Sequence, residues 1–184
     1  DYEQKIGDYW AACMDESGIE SAGTRDLKAG LERISQLQNK SQLADQVAHL
    51  HEAIPGAWDG DDNQTPAPLL GFGQQQDFDD ATKVVASIDQ GGLGLPNRDF
   101  YIKDDAKSKE IRTAYQAHIS KMLALAGESQ QQADADAKTI LAIETAMAQA
   151  QMDNVARRDP KNLNNKMSFE GVQALTPSFD WKHY

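Results

Sequence analysis

Cysteine is almost absent from this chain of 184 residues, since Cys13 is its single example. One thiol cannot form a disulfide within the chain, which excludes a small scaffold stapled by disulfides. Proline is sparse as well, with 6 residues, and this leaves room for long uninterrupted helices. No apolar run approaches the roughly 20 residues that cross a bilayer, so we predict no transmembrane segment.

Basic residues are also in short supply. Lys and Arg total 18 against 29 Asp and Glu, which gives a formal net charge of −11. A surface of that sign repels phosphate backbones, and the densest basic cluster, Arg157-Arg158, is followed at once by Asp159. We therefore predict no nucleic-acid partner.

Apolar residues recur at helical spacing through most of the chain, which predicts a mainly α fold. The first segment shows the pattern well, with Ile6, Tyr9, Trp10 and Cys13 on one face. We expect Thr24, Ser41 and Ser168 to cap later helices. The predicted helices cover residues of about 2–16, 25–38, 42–54, 104–126, 131–156 and 169–175.

The pattern changes between residues 69 and 89. Two short segments there are joined by a turn rich in Asp, and Val84, Val85 and Ile88 are β-branched. This composition predicts a small β-hairpin over about 69–89. A Pro- and Gly-bearing loop at 55–68 precedes the hairpin, and the glycine-rich residues 91–96 follow it as a compact turn.

Candidate metal ligands are few. His49 and His51 are two residues apart, which on a helix directs their side chains about 200° apart and argues against a shared zinc ion. We expect both to be partly exposed, and His118, on an apolar stripe, to be a satisfied core or edge residue. Residues 59–63 (DGDDN) resemble the start of a calcium loop, but the later glycine and glutamate of that motif are missing, which favours a solvated acidic loop.

Two further side chains could carry chemistry. Glu144 lies within a mostly apolar stripe, and we interpret it as one half of a structural ion pair with Arg98, Arg157 or Arg158 rather than as a catalytic acid. Cys13 lies on an apolar helix face with no nearby histidine, which favours packing over nucleophilic attack.

Several sequence phrases resemble the neprilysin and endothelin-converting-enzyme family of zinc metallopeptidases, especially its bacterial oligopeptidase members. Residues 88–101 (IDQGGLGLPNRDFY) are similar to the family's "DQ…LGLP-x-RDYY" signature, and residues 9–16 (YWAACMDE) to its "YxxCMDE" helix end. Residues 144–148 (ETAMA), 157–160 (RRDP), 165–167 (NKM) and 179–181 (FDW) follow in family order. The resemblance covers nearly the whole chain.

The resemblance implies an N-terminal, non-catalytic portion (residues 1–184) of a two-lobed helical peptidase that cleaves oligopeptides. In such a protein the zinc-binding His-Glu-x-x-His helix and the substrate-binding strand lie beyond Tyr184, so no catalytic, metal or cofactor residue can be carried onto this numbering. The residues that match are expected to be structural: Asp89, Gln90, Gly91, Gly94, Leu95, Pro96, Arg98, Asp99, Tyr101, Glu144, Arg158, Asp159 and Pro160.

The same resemblance implies further expectations. We expect both ends to be cut from a longer exported polypeptide, periplasmic or extracellular, whose C-terminal catalytic lobe is the partner of this part. Arg98 and Asp99 should pair locally or with neighbouring helices. An apolar surface should be exposed where the catalytic lobe docks. The alternative is a free-standing helical binding or scaffold module derived from such a peptidase.

Overall fold

The computed structural model describes residues 1–54 and 67–184, and this part of the chain is mainly α with one small hairpin, as predicted. The helices are α1 (Tyr2–Cys13), α2 (Glu16–Ala22), α3 (Lys28–Ser35), α4 (Leu43–Ala53), α5 (Asp99–Ile102), α6 (Ala106–Leu125), α7 (Gln130–Ala150), α8 (Pro160–Leu163) and α9 (Phe169–Leu175). Short 3-10 turns occur at Arg25–Leu27, Lys40–Gln42 and Ala156–Arg158. The strands are β1 (Leu70–Gln76) and β2 (Val84–Gln90). Within the described ranges, no helix is both long and apolar enough to cross a membrane.

Contacts divide the described residues into two compact units, Asp1–Gln38 and Asn39–Tyr184. The first unit contains α1, α2 and α3. Its first helix is capped by the Asp1 carboxylate, which accepts a hydrogen bond from the Glu3 amide. The predicted helix over 2–16 is wrong at its end, because the Asp15 side chain accepts from the Gly18 amide and so begins a separate helix, α2.

The apolar face predicted for the first unit is present, but no residue of α1, α2 or α3 is buried. Cys13 is exposed too, so the packing predicted for it is not found within the described residues. The large apolar side chains that stand 43% to 79% exposed are Tyr2, Ile6, Tyr9, Trp10, Met14, Ile19, Leu27, Leu31 and Ile34. These residues form an exposed apolar surface, and the docking of the catalytic lobe on it stays a prediction.

The second unit begins with a cap that differs from the predicted one. Asn39, rather than Ser41, forms a capping box with Gln42 around a 3-10 turn that leads into α4. The buried face of α4 is formed by Ala44, Gln46, Val47 and His51. Likewise Thr24 makes no side-chain cap in the first unit, where the helix predicted over 25–38 starts later, at Lys28.

Helices α6 and α7 pack against each other and hold most of the small core. Asp105 and Ser129 cap their N-termini, and Gly127, with φ of 112°, follows the end of α6 as predicted. The fully buried residues of α7 are alanines, which allow close approach of the helices. The buried residues that form the apolar core are Ala44, Val47, Tyr101, Ile119, Ala133, Ala137 and Ala148.

The predicted hairpin over 69–89 is confirmed, with strands that run antiparallel from the Leu70–Gln90 pair to the Gln76–Val84 pair. The turn between them is closed by a hydrogen bond from the Asp77 amide to the Lys83 carbonyl, 3.0 Å long. The acidic loop predicted at 59–63 lies outside the described residues.

Candidate functional site: the turn at residues 91–96 and its carboxylate

The turn at residues 91–96 connects β2 to α5, and two of its glycines are required by their surroundings. Gly92 has φ of 75°, a conformation that glycine adopts without strain. Gly94 lies against the Tyr115 side chain so closely that a Cβ atom at this position would overlap the Tyr115 hydroxyl. The turn therefore depends on glycine for its backbone conformation at one position and for space at the other.

Glu144 of α7 joins this turn to the helices. The Tyr101 hydroxyl donates to Glu144 Oε2 at 2.6 Å, and the Tyr115 hydroxyl donates to Glu144 Oε1 at 3.0 Å. The Tyr101 oxygen also accepts from the Leu95 amide at 2.8 Å. One carboxylate thus connects the turn, α5, α6 and α7 through two hydroxyl groups.

This cluster raises the proton affinity of both phenols. Burial, together with the hydrogen bond to Glu144, raises the pKa of Tyr101 well above its ordinary value. Burial, followed by the nearby charge of Glu144, raises the pKa of Tyr115 to about 12. Both tyrosines are therefore neutral donors at physiological pH, and the prediction that an arginine neutralises Glu144 is wrong.

The arginines considered for Glu144 have other roles. Arg157 forms a bidentate pair with Asp89 at 2.7 and 2.6 Å, and this pairing lowers the pKa of Asp89. The Arg98 Nε donates to the Ala148 carbonyl at 3.1 Å. Arg158 is exposed in the 3-10 turn, where its amide donates to the Val155 carbonyl. Arg157 and Arg98 therefore bond to Asp89 and to the Ala148 carbonyl, and the described partners of Glu144 are the two tyrosine hydroxyls.

Gln90 fixes the end of α7. Its side-chain nitrogen donates to the Met152 carbonyl at 3.1 Å, and its side-chain oxygen accepts from the Met152 amide at 2.9 Å. Gln151 donates to the Gly91 carbonyl at 2.8 Å. These bonds replace helical ones, which explains why α7 ends at Ala150 and why the predicted end at 156 is wrong.

Asp99, Asp159 and Pro160, three more of the matched residues, take short-range structural roles. Asp99 pairs with Lys103 at 2.8 Å, so the prediction that Arg98 and Asp99 pair locally or with a neighbouring helix is confirmed. Asp159 caps α8 by accepting from the Lys161 amide at 3.0 Å, and Pro160 occupies the first turn of that helix.

A second connection, missed by the sequence reasoning, holds the far end of the hairpin. Lys166 lies 2.7 Å from Asp77 and 2.9 Å from Asp79. Its hydrogen bond to Asp77, followed by one from the Asp79 amide, lowers the pKa of Asp77. The sequence carries no signal for this pairing, because the acidic turn at 77–80 and Lys166 are far apart along the chain.

The histidines do not form a metal centre in the described part of the chain. His51 is fully buried rather than partly exposed: its Nε2 lies 3.0 Å from the Pro68 carbonyl and its Nδ1 lies 2.6 Å from the Tyr184 hydroxyl. Since a carbonyl can only accept, Nε2 donates, and in the neutral ring Nδ1 accepts. His118 is exposed, contrary to prediction. No three His, Cys, Asp or Glu side chains are grouped to hold a metal ion in residues 1–54 and 67–184.

We call this arrangement the clasp; it consists of the turn at residues 91–96 and the side chains of Gln90, Tyr101, Tyr115 and Glu144. The Tyr101 hydroxyl both donates and accepts, Glu144 accepts from two donors, and Gln90 uses both ends of its amide. Side chains committed in this way hold the hairpin, the turn and α5–α7 in one geometry.

Comparisons with known proteins place these features in a wider group. The sequence model described as peptidase family M13 matches residues 1–184. Human endothelin-converting enzyme 1 is 26% identical over 190 residues, which cover 97% of this chain and 23% of that protein. A locust (Locusta migratoria) endothelin-converting enzyme homolog is 32% identical over 106 residues, which cover 58% of this chain and 14% of that protein.

Solved structures show the same likeness. The zinc metalloprotease Zmp1 of Mycobacterium tuberculosis, in complex with an inhibitor, superposes with a TM-score of 0.83 at 29% identity, over 97% of this chain and 25% of that one. Zmp1 in its open state gives a TM-score of 0.82 at the same identity. The chain therefore spans about a quarter of the length of these relatives.

Proposed function

This chain belongs to peptidase family M13, and on that premise we propose that it is the N-terminal, non-catalytic part of a zinc metallopeptidase that cleaves oligopeptides. In this proposal its helices help to wall the substrate chamber. The zinc ion and the residues that bind it belong to the polypeptide beyond residue 184. Export to the periplasm or the exterior belongs to the same proposal and follows from the family resemblance.

One observation carries the proposal: the family match extends over residues 1–184, yet these residues span only about a quarter of the relatives' length. A family member whose matched part ends there would hold its catalytic machinery elsewhere. The clasp is consistent with this proposal, because its polar side chains form hydrogen bonds that hold the turn at 91–96 in place.

The zinc ion does not fit the described residues. A peptidase zinc ion needs three protein ligands and an open position for water. Here the two ring nitrogens of His51 face Tyr184 and Pro68, and no group of three ligand residues occurs within the described ranges. In this proposal no catalytic step is assigned to the described residues.

The exposed apolar side chains of the first unit indicate that another protein surface covers it. Its 38 residues include no buried helical residue, and ordering a residue costs about 1–2 kcal/mol of conformational entropy. Exposed side chains such as Trp10 and Tyr9 recover little of that cost unless another surface covers them. In this proposal the covering surface is the catalytic lobe.

An activity assay tests the proposal directly. The full-length polypeptide, loaded with zinc, should cleave oligopeptides and lose that activity with a chelator. The 184-residue chain with added zinc should show no turnover. Chelator-sensitive turnover by the 184-residue chain would contradict the proposal, and a native product ending near Tyr184 without any peptidase activity would favour a stand-alone module.

A matched pair of variants tests the covering surface. Trp10→Asp places a charge on the apolar face of α1, and Gln4→Asp places one on the opposite face of the same helix. We expect W10D to lower the thermal stability of the full-length polypeptide and Q4D to leave it nearly unchanged. Equal effects of the two variants would argue that this face is not covered.

A further inference from the structure

A long groove between α6 and α7 is not used by the clasp. One stretch of this open groove has a volume of about 660 Å³ and the next about 410 Å³, and the two stretches share Gln116 and Lys138. The α7 positions that line the groove run from Gln130 to Gln149. At 1.5 Å per residue this corresponds to about 28 Å, or roughly five helical turns.

Polar side chains at one end of the groove are bonded to one another. Ser120 donates to Asp134 at 2.5 Å, and Gln130 donates to Asp134 and to the Ser120 oxygen, both at 2.9 Å. The Ser120 hydrogen bond, followed by the one from Gln130, lowers the pKa of Asp134. These side chains are therefore engaged with one another, and we expect recognition to depend on the shape of the groove and on its lysines.

The groove is lined by two lysines whose ammonium groups make no direct ion pair with a described carboxylate, although Lys138 is near enough to Asp134 to help lower the pKa of that acid. Neither Lys121 nor Lys138 forms an ion pair with any described residue, although Asp and Glu outnumber Lys and Arg by 29 to 18. Most other groove positions are short or polar, and Leu125 at one end is 63% exposed. A complementary surface would bring carboxylates to the two lysines and larger side chains to the small positions.

We propose that this groove receives a helix from the same polypeptide beyond residue 184, with carboxylates facing Lys121 and Lys138. Small residues such as Ala142 and Ala146 permit two helix axes to approach within about 8–10 Å. The relatives are about four times as long as the matched part, which supplies the chain length. A second copy fits less well, because each copy carries a net charge of −11. The inference rests on the proposed function, since it requires a longer polypeptide.

Cysteine labelling in the full-length polypeptide tests this occupant. In a Cys13→Ser background, A142C in the groove should react with a maleimide at least about 100-fold more slowly than in the urea-unfolded polypeptide. Ala150, exposed at the end of α7 and outside the groove, provides the matched control, A150C, which should react within about 10-fold of its unfolded rate. Fast labelling of A142C would overturn the proposal.

Crosslinking identifies the occupant. A benzophenone maleimide attached at K121C should crosslink to a peptide from beyond residue 184 of the same molecule, as read by mass spectrometry. A crosslink between two copies, or only to residues 1–184, would overturn the proposal.

Charge reversal tests the carboxylates. The K121E/K138E variant should speed labelling of A142C at least about 10-fold, whereas K161E, at an exposed lysine outside the groove, should not. If the double reversal leaves A142C protected, the carboxylate-bearing helix is wrong. Peptidase activity of the full-length polypeptide without the charge reversal distinguishes a failure of this inference from a failure of the proposed function. An active enzyme with an open groove refutes this inference alone, and an inactive one refutes the proposed function.

Discussion

Replacing Glu144 with alanine should strongly destabilise the second unit, because it removes the acceptor of two largely buried hydroxyl groups. The Tyr101 hydroxyl lies 2.6 Å from the carboxylate and the Tyr115 hydroxyl 3.0 Å from it. Tyr101 is only 4% exposed, so water cannot easily replace the lost acceptor. A hydrogen bond to a charged group contributes about 1.5–3 kcal/mol. Two such bonds, one of them less buried, give about 3–5 kcal/mol for E144A.

Graded variants separate the contributions. Tyr115→Phe removes one donor and leaves the Tyr101 bond, so we expect a loss of about 1–2 kcal/mol. E144Q keeps one good acceptor oxygen but places an amide N–H₂ where a donor is not wanted, which should cost about 1–3 kcal/mol. Ile143→Ala is the control from the adjacent position, where the side chain is 54% exposed, and should cost less than about 1 kcal/mol.

Urea unfolding of the 184-residue chain, followed by far-UV circular dichroism, measures these differences. The expected order of destabilisation is E144A, then E144Q and Y115F, then I143A. A change below about 1 kcal/mol for E144A, or an equal change for I143A, would refute the assignment of Glu144 as the shared acceptor.

Three more outcomes follow from the same structure. Gly94→Ala should destabilise the chain by about 1–3 kcal/mol because its Cβ would overlap Tyr115, whereas Gly30→Ala, with open space around it inside α3, should be neutral or stabilising by up to about 1 kcal/mol; urea unfolding compares them. Lys166→Met should raise the pH midpoint of acid unfolding, because the carboxylates it holds at lowered pKa lose their stabilising partner, whereas Lys109→Met, at an exposed pair, should leave the midpoint unchanged. Stability should fall as pH rises from about 10 to about 12, since the unfolded state releases the Tyr115 proton first, and Tyr115→Phe should flatten this slope in a pH-titrated unfolding series.

Local signals in the sequence predicted the elements whose boundaries are set locally. Ser168 caps α9 and the helix ends at Leu175, as expected, because the Ser168 side chain accepts from the Gly171 amide within the same turn. The hairpin also follows from local composition, since β-branched Val84, Val85 and Ile88 fall on one strand. These features need no knowledge of distant residues.

Boundaries set by distant partners could not be predicted. Helix α7 ends because Gln90, 62 residues earlier, binds the Met152 backbone. His51 is buried because Tyr184, 133 residues later, faces its ring. Periodicity identifies which face of a helix is apolar, but it does not say which residue from another element meets that face.

The partner of Glu144 illustrates the same limit within the clasp. The sequence indicated that a carboxylate in an apolar stripe needs a partner, and that requirement is met. The prediction of an arginine was wrong because two tyrosines, 43 and 29 residues away in sequence, reach the carboxylate instead. Charge balance alone does not distinguish a cation from two neutral donors, since both stabilise an ionised carboxylate.

The matched phrases of the sequence are far apart along the chain but meet in the structure. Asp89 pairs with Arg157, Gln90 binds Met152, and Tyr101 binds Glu144. A likeness made of such phrases therefore reports a shared three-dimensional scaffold, because the Asp89–Arg157 and Tyr101–Glu144 contacts each join two of the phrases. It reports the scaffold of family M13 rather than its chemistry, since each of these contacts holds two elements of the described residues together. For this reason peptidase activity has to be established on the full-length polypeptide, while the scaffold can be tested on these residues.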